Sequence, residues 1–522
     1  MSALLTQGLA EVTKWELPDL QYRNLAPLFV LFGMAVVSVL VEAFVPRTAR
    51  RTVQLFLVFG TLIAGFILVV GLSGVRSLAG AGSIAIDGPA LFLQGTILVL
   101  AAMAALLIAE RDVDPAGDAF AARANALPGS EDEREFTRRG WLTTEVWPLF
   151  LFSVTGMLIF VSGTDLLILF VGLEVMSLPL YLMAGIARRR RLLSQEAAMK
   201  YFLLGAFSSG FFIYGAAMLY GFSGTVDLGG IADAITNQAG PNGLLLAGVV
   251  MISVGLLFKV AAVPFHQWAP DVYQGSPTPI TSFMAACVKV AAFGALLRIM
   301  YVALGGLRWD WVPAFWIIAI LTMLVGTVLA LTQTDMKRML AYSSIAHAGF
   351  LLIAVIATNE EGLAGAMFYL LAYGVSTIGA FGVVTLVRDS TGEATHLSSW
   401  AGLGKRSPWV AGTFAIFLLS FAGIPLTGGF IGKFAVFEAG YASGAGWLVV
   451  VAVVLSATAA FFYGRVIVIM FFTEPQEDGP TVVIPSAFTA IAIASGLAMT
   501  VVLGVFPQPF LDLAEKASIF VR

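Results

Sequence analysis

GLLLAGVVMISVGLLFKVAAVPFHQW, residues 243–268, runs apolar for sixteen positions with a single serine, then sets Lys259 five residues ahead of Pro264. A bilayer core about 30 Å thick takes roughly 20 such residues as a helix, so the stretch reads as a membrane helix that carries a lysine and is broken by a proline. Working outward, comparable stretches recur along all 522 residues, beginning near Pro27, Val53, Leu91, Val146, Leu166, Glu196, Gly243, Pro277, Trp311, Arg338, Gly362, Trp409, Trp447 and Val483. Fourteen continuous apolar runs favour helices over a barrel, whose strands are shorter and alternate in polarity. The fold class expected is therefore all-α integral membrane.

Composition agrees: 59% of residues are hydrophobic, 12% are charged and the mean hydropathy is +0.91, far from soluble averages. A net charge of −3 offers no basic field for nucleic acid, so no nucleic-acid partner is expected. Three histidines and a single cysteine, Cys287, exclude an internal disulfide and argue against iron–sulfur or structural zinc centres. No cofactor and no metal are expected on this chain. The first twenty-five residues hold Glu11, Lys14, Glu16, Pro18, Asp19 and Arg23 without a basic start and apolar block, so they do not read as a cleaved signal peptide, and the first membrane helix is expected to serve as the targeting signal.

Orientation follows from the basic residues of the loops. Loops after odd-numbered spans hold seventeen: Arg47, Arg50, Arg51, Arg111, Arg123, Arg134, Arg138, Arg139, Arg188, Arg189, Arg190, Arg191, Lys337, Arg338, Arg388, Lys405 and Arg406. The other side holds six, namely Lys14, Arg23, Arg76, Arg308, Lys516 and Arg522. Both termini are thus expected on the outer face of the cell's inner (cytoplasmic) membrane. The long connection over residues 110–145 mixes both charge signs with Gly and Pro, reads as a solvated cytoplasmic loop and is assigned no chemistry.

Each ionisable group near a helix centre costs about 2.5–3.5 kcal/mol on insertion, so three central lysines and a glutamate total about 10 kcal/mol, comparable with a protein's whole net stability. Glu174 lies mid-span within GLEVMSLPLY (172–181), Lys259 deep in span 7, Lys289 in the middle of span 8, His347 midway along span 10 and Lys433 beyond the break in span 12. A static ion pair is often no better than apolar packing, so these positions are read as functional. Blander readings hold elsewhere. Lys200 stands near a helix start, where snorkelling weighs against function; Glu42 pairs with Arg47 or reaches water; Asp165 is a helix cap.

Pro264 and Pro425 interrupt long apolar segments and free the carbonyls of Val260 and Phe421. Freed backbone at membrane depth persists only where protein or a wet cavity satisfies it, which makes broken helices markers of ion pathways. Each break has its own lysine. Spans 4–8 and 9–13 align as two five-helix units with the breaks in corresponding places, and five being odd, the units insert with opposite orientations. The domains expected are 1–145, three helices and the loop; 146–302, the first repeat; 303–471, the second; and 472–522, span 14 and tail. Burial lowers a lysine's pKa and a nearby carboxylate raises it, so moving Glu174 against Lys259 switches proton occupancy, with His347 an intermediate carrier. Without a soluble domain or nucleotide loop, the driving energy is expected from a partner.

The motifs GLEVMSLPLY, EAAMKYFLLGAFSSG (196–210), KVAAVPFHQWAPDVYQGSPTP (259–279), DMKRMLAYSSIAHAGF (335–350) and SFAGIPLTGGFIGKF (420–434) resemble the antiporter-like proton-channel subunits of respiratory complex I, in particular the subunit N type, counterpart of mitochondrial subunit 2. The likeness covers spans 4–13. It implies two inverted half-channels, with Glu174 and Lys259 as the cytoplasmic-side pair, Lys289 the connection, His347 a relay, Lys433 at the exit and Lys200 on the input path. It also implies that NADH and quinone bind elsewhere, that flavin and iron–sulfur clusters sit in partner subunits, and that the partners are other membrane-arm subunits and lipids. The alternative is a subunit of a multisubunit cation/proton antiporter. A solute permease would show substrate-shaped polarity instead of a lysine row, and an inert scaffold would not station charges at such cost.

Overall fold

A computed structural model describes residues 20–115, 117–121, 130–138, 144–389, 392–475 and 479–521. Most of the segment read as lacking a signal peptide, and Lys14, Arg123, Arg139 and Arg522 of the charge count, lie outside the described residues. Among the described residues twelve helices are long and apolar enough to cross a membrane, and two shorter apolar ones fall in the remaining expected places. In chain order they are α1 (Ala26–Phe44), α2 (Arg47–Gly71), α3 (Gly88–Ile108), α4 (Val146–Ser162), α5 (Leu166–Ala184), α6 (Arg191–Ser223), α7a (Asn242–Lys259) with α7b (Trp268–Gly275), α8 (Thr278–Ala303), α9 (Arg308–Thr332), α10 (Met336–Ala357), α11 (Glu360–Leu386), α12a (Pro408–Ala422) with α12b (Gly428–Ala442), α13 (Gly446–Phe472) and α14 (Ala487–Val505). The chain is a multi-pass membrane protein. Its all-α reading omits small edge sheets: a hairpin of β1 (Ser77–Ala79) and β2 (Ile84–Ile86), and a three-stranded sheet, β4-β3-β5, of β3 (Val387–Asp389), β4 (Gly392–Glu393) and β5 (Thr481–Val482).

The helices start where the sequence supplies caps. Asp165 accepts from the amides of Leu167 and Ile168 at 2.7 and 3.0 Å, the capping role expected of it. Helix pairs α4/α5, α6/α7a and α9/α10 pack closely, and α11 is flanked by α12b and α14. The most hydropathic windows of α8 and α11 are wholly buried, whereas that of α13 is 28% buried. The lysine-bearing α8 is thus walled by protein on every side. It is not a regular α-helix: Met284–Val288 and Ile299–Ala303 widen to π-helix, the first directly before Lys289, and such bulges occur frequently at functional sites.

Two expectations need correction. Glu42 does not pair with Arg47: its carboxylate accepts from Gln54 at 2.6 Å and Thr144 at 2.7 Å, with Arg50 at 3.5 Å, because α1 and α2 fold back as a hairpin that brings the second helix's first turns against it. Nor is the start of the 110–145 loop freely solvated. Asp114 and Asp118 are buried, Asp118 on Arg188 at 2.7 Å and Asp114 on Arg189 at 2.9 Å and on Arg388. Burial raises the Asp118 carboxyl above its ordinary value although Arg188 opposes the shift. Three loops predicted on one face therefore meet there.

At the opposite ends of α3 and α8, Arg298 grips Asp87 through two bonds of 2.9 and 2.8 Å, both side chains fully buried. The backbone amide of Val521 donates to the same carboxylate at 3.0 Å, and the Phe520 ring lies 4.7 Å from the guanidinium carbon. The C-terminal tail thus covers the pair.

Candidate proton relay

The two breaks share a backbone signature. Ala261 (φ +59°) and Leu426 (φ +72°) are non-glycine residues in the left-handed region, beside Pro264 and Pro425. Such strain persists only where surroundings over-determine it, and it gathers at functional sites. In α12 the helix stops at Gly423 (φ +82°), where a side chain would press on Lys433. Phe421, one of the carbonyls the proline frees, accepts from Lys433 Nζ at 2.8 Å; Ala422 O and Ser456 Oγ accept at 3.1 and 2.9 Å. The broken backbone itself replaces water around this ammonium. At the other break Lys259 ends α7a, and its Nζ donates to Ser177 Oγ at 2.8 Å and Tyr181 Oη at 3.1 Å, with the Tyr181 and Tyr201 rings 5.4 and 5.9 Å away. Cation–π contact adds to the stabilisation of a desolvated charge.

Glu174 does not form the ion pair with Lys259 that the resemblance implies. It sits one turn before Ser177 on the flank of α5, between Val171 and Leu178, which are 47% and 49% exposed, and its Oε1 is buried with no hydrogen-bond partner among the described residues. Lys200 is 40% exposed and bound to Asp271 and Glu196, both at 2.6 Å, with Arg338 on the other oxygen of Asp271. Lys200, Glu196, Asp271 and Arg338 thus form one partly exposed charge network.

Deeper in, Lys289 crosses from α8 to α10, donating to Ser344 Oγ at 2.6 Å and to the Ser344 carbonyl, with the Tyr373 ring 5.2 Å away. One turn along α10, His347 Nδ1 meets Tyr369 Oη at 2.6 Å and Nε2 meets Tyr463 Oη at 3.2 Å, and Tyr463 also bonds Ser343. The Tyr373 ring links the two, 4.8 Å from the imidazole. Lys289, His347 and Lys433 are all nearly fully buried. They are brought together by α8, α10, α11, α12 and α13, whereas no described hydrogen bond joins Lys259 to Lys289. The sequence reading missed Ser177, Tyr181, Ser344, Tyr369, Tyr373, Tyr463 and Ser456; only their polarity at mid-span depth would have singled them out. Among the described residues no group of three or more His, Cys, Asp and Glu is placed to hold a metal ion.

Lys259, Lys289 and Lys433 are each held by hydroxyls or carbonyls within the bundle. The sequence model of the NADH:quinone oxidoreductase/Mrp antiporter transmembrane family matches residues 163–459, a range that contains all the buried lysines, Glu174 and His347. An NADH-quinone oxidoreductase subunit N of Rhodococcus opacus is 60% identical, covering 98% of this chain and 99% of its own length. The chain belongs to the NADH-quinone oxidoreductase subunit N family. A subunit N of Parafrankia sp. is 57% identical over 100% of this chain. Among solved structures, a chain of respiratory complex I from Thermus thermophilus with bound aureothin is 32% identical, with a TM-score of 0.75 over 94% of this chain and 99% of that one. A chain of the Mrp complex from Dietzia sp., 21% identical with a TM-score of 0.77, shares the fold. Family membership thus covers the whole bundle, including the N-terminal helices and tail on which the motifs were silent.

Proposed function

We propose that this chain is the membrane-arm subunit through which an NADH-quinone oxidoreductase moves protons, the energy coming from NADH oxidation and quinone reduction in partner subunits that hold the flavin and iron–sulfur clusters. It works as part of a translocase, with no redox step on its own residues. The observation that carries this is the set of three deeply buried lysines, each solvated by hydroxyls or freed carbonyls instead of a fixed carboxylate partner. An ammonium so held can lose its proton without stranding a permanent counter-charge, which a static salt bridge cannot do. Protons would be taken from the cytoplasmic network at Lys200 and Asp271, held at Lys259 under the influence of Glu174, passed by Lys289 and His347 and released beyond Lys433. The units 146–302 and 303–471 act as inverted half-channels, 1–145 and 472–522 bracket them, and both termini lie on the outer face of the inner membrane. The exposed stripe of α5 that carries Glu174 is the contact with a neighbouring membrane-arm subunit, and lipids cover the remaining apolar periphery.

The alternative of a cation/proton antiporter subunit is supported by the shared family model and by a fold likeness at 21% identity, against 57–60% identity to subunits N. Inner membranes carrying the assembled complex with Lys259→Ala or Glu174→Ala test the proposal: NADH-driven proton pumping and the quinone reduction tied to it should fall while assembly survives. Normal pumping by both assembled variants defeats these roles.

A further inference from the structure

His347 is held at both ring nitrogens by tyrosines that reach it from different helices. Tyr369 of α11 puts its hydroxyl 2.6 Å from Nδ1, and Tyr463 of α13 puts its own 3.2 Å from Nε2. Tyr463 also bonds Ser343, one turn earlier on the same face of α10, so the four groups form one row, Tyr369–His347–Tyr463–Ser343. All four are buried. Rings close other sides of the imidazole: Tyr373 lies 4.8 Å from it, and Phe350 and Phe421 each 5.8 Å. A ring packed in this way keeps its orientation, and what remains free to change is the position of its protons.

Which nitrogen of a histidine carries the proton is set by the bond the other one makes. A carboxylate or a carbonyl only accepts and would fix the choice, whereas a hydroxyl donates or accepts and turns to suit. With a hydroxyl at each end, neither tautomer is selected. When Nδ1 carries the proton it donates to Tyr369, Tyr463 donates to Nε2 and Ser343 donates to Tyr463; when Nε2 carries it, each of these bonds runs the other way. Both arrangements satisfy every contact in the row. The imidazolium does not: both nitrogens then donate, and among the described residues the Tyr369 hydroxyl has no second hydrogen-bond partner to take its proton, nor does any carboxylate bond a member of the row. We propose that Tyr369 and Tyr463 are positioning residues that hold His347 as a neutral imidazole exchanging its proton between its two nitrogens, while positive charge stays on the lysines. This rests on the relay function proposed above. Placement agrees with it. Gly432, next to Lys433, lacks a side chain where one would come 2.8 Å from the Tyr369 ring, and the Tyr463 ring lies 6.0 Å from that of Phe421, whose carbonyl takes the Lys433 ammonium. Both tyrosines thus pack on the break that seats Lys433.

Buried tyrosines also find hydrogen-bond partners for packing alone, and the test separates the two roles. In inverted vesicles, NADH-driven proton uptake per assembled complex is measured for Tyr369→Phe, Tyr463→Phe and His347→Gln, and for each tyrosine change combined with His347→Gln. The melting temperature of the purified complex is read alongside. Phenylalanine keeps the ring and removes the hydroxyl; glutamine offers a donor and an acceptor but cannot interchange them. Uptake in each tyrosine variant should fall to the level of His347→Gln with the melting temperature unchanged, and a tyrosine change added to His347→Gln should cost nothing further. Should one tyrosine variant fail to assemble, the other decides. Normal uptake in an assembled tyrosine variant, beside a defective His347→Gln, overturns the clamp and leaves the relay standing. A fall in uptake matched by a fall in melting temperature, or a further loss in a combined variant, overturns it equally. Normal uptake in His347→Gln removes His347 from the relay itself.

Discussion

Lys289 reaches across to the backbone and hydroxyl of Ser344, and the chemistry of that contact decides what its replacement does. Arginine keeps the charge and can bond the same oxygens but hardly releases its proton. Lys289→Arg should therefore assemble and fail to pump; full pumping in vesicles would mean that a fixed positive charge suffices there. Arg298 behaves in the opposite way. Its carboxylate partner is Asp87, fully buried and bidentate, and nothing in that geometry favours exchange. Asp87→Asn leaves a buried guanidinium without a counter-charge, at about 3–5 kcal/mol; thermal unfolding of the purified complex should show the loss, while Asp87→Glu should recover part of it. Both arginine and lysine were visible in the sequence as charges in apolar surroundings. Their difference was not, because Asp87 is 211 positions from Arg298 and Ser344 is 55 from Lys289.

At the scale of elements, Pro425 and Gly423 do separate jobs at one break. The proline frees Phe421 O, and the glycine turns the chain at φ +82° so that Lys433 can lie against it. Gly423→Ala puts an L-residue in the left-handed region, costing about 1–2 kcal/mol, and its methyl would press on the lysine stem. Reduced pumping together with a lower melting temperature is the expected pair of effects, and an unchanged pumping ratio would separate the turn from the lysine. The break was legible because Pro425 stands in an apolar run ahead of a lysine, whereas proline alone does not mark one: Pro179 and Pro313 lie inside the continuous helices α5 and α9. The π-helical turns of α8 were not, since MAACV (284–288) carries no residue that forbids an ordinary α-helix. For Glu174, spacing placed the side chain within α5, but its facing depends on how α4 and α6 pack around that helix, and it lies between the exposed Val171 and Leu178.

For the whole molecule, hydropathy revealed the spans because lipid imposes one rule on every one of them. It was silent on the hairpin β1–β2, the docked acidic loop and the tail, which are held by specific polar contacts at the surface. Removing residues 517–522 should uncover Asp87 and Arg298 and lower stability by about 1–3 kcal/mol, the usual penalty for an unsatisfied buried group, read as a drop in melting temperature. No change would mean that water replaces the Val521 amide at no cost.

Asp87 emerges from the ribosome 434 residues before Val521. The carboxylate of the α3 cap therefore lacks this partner until Val521 has been made. The clasp between α3, α8 and the tail can close only after residue 521 has been made.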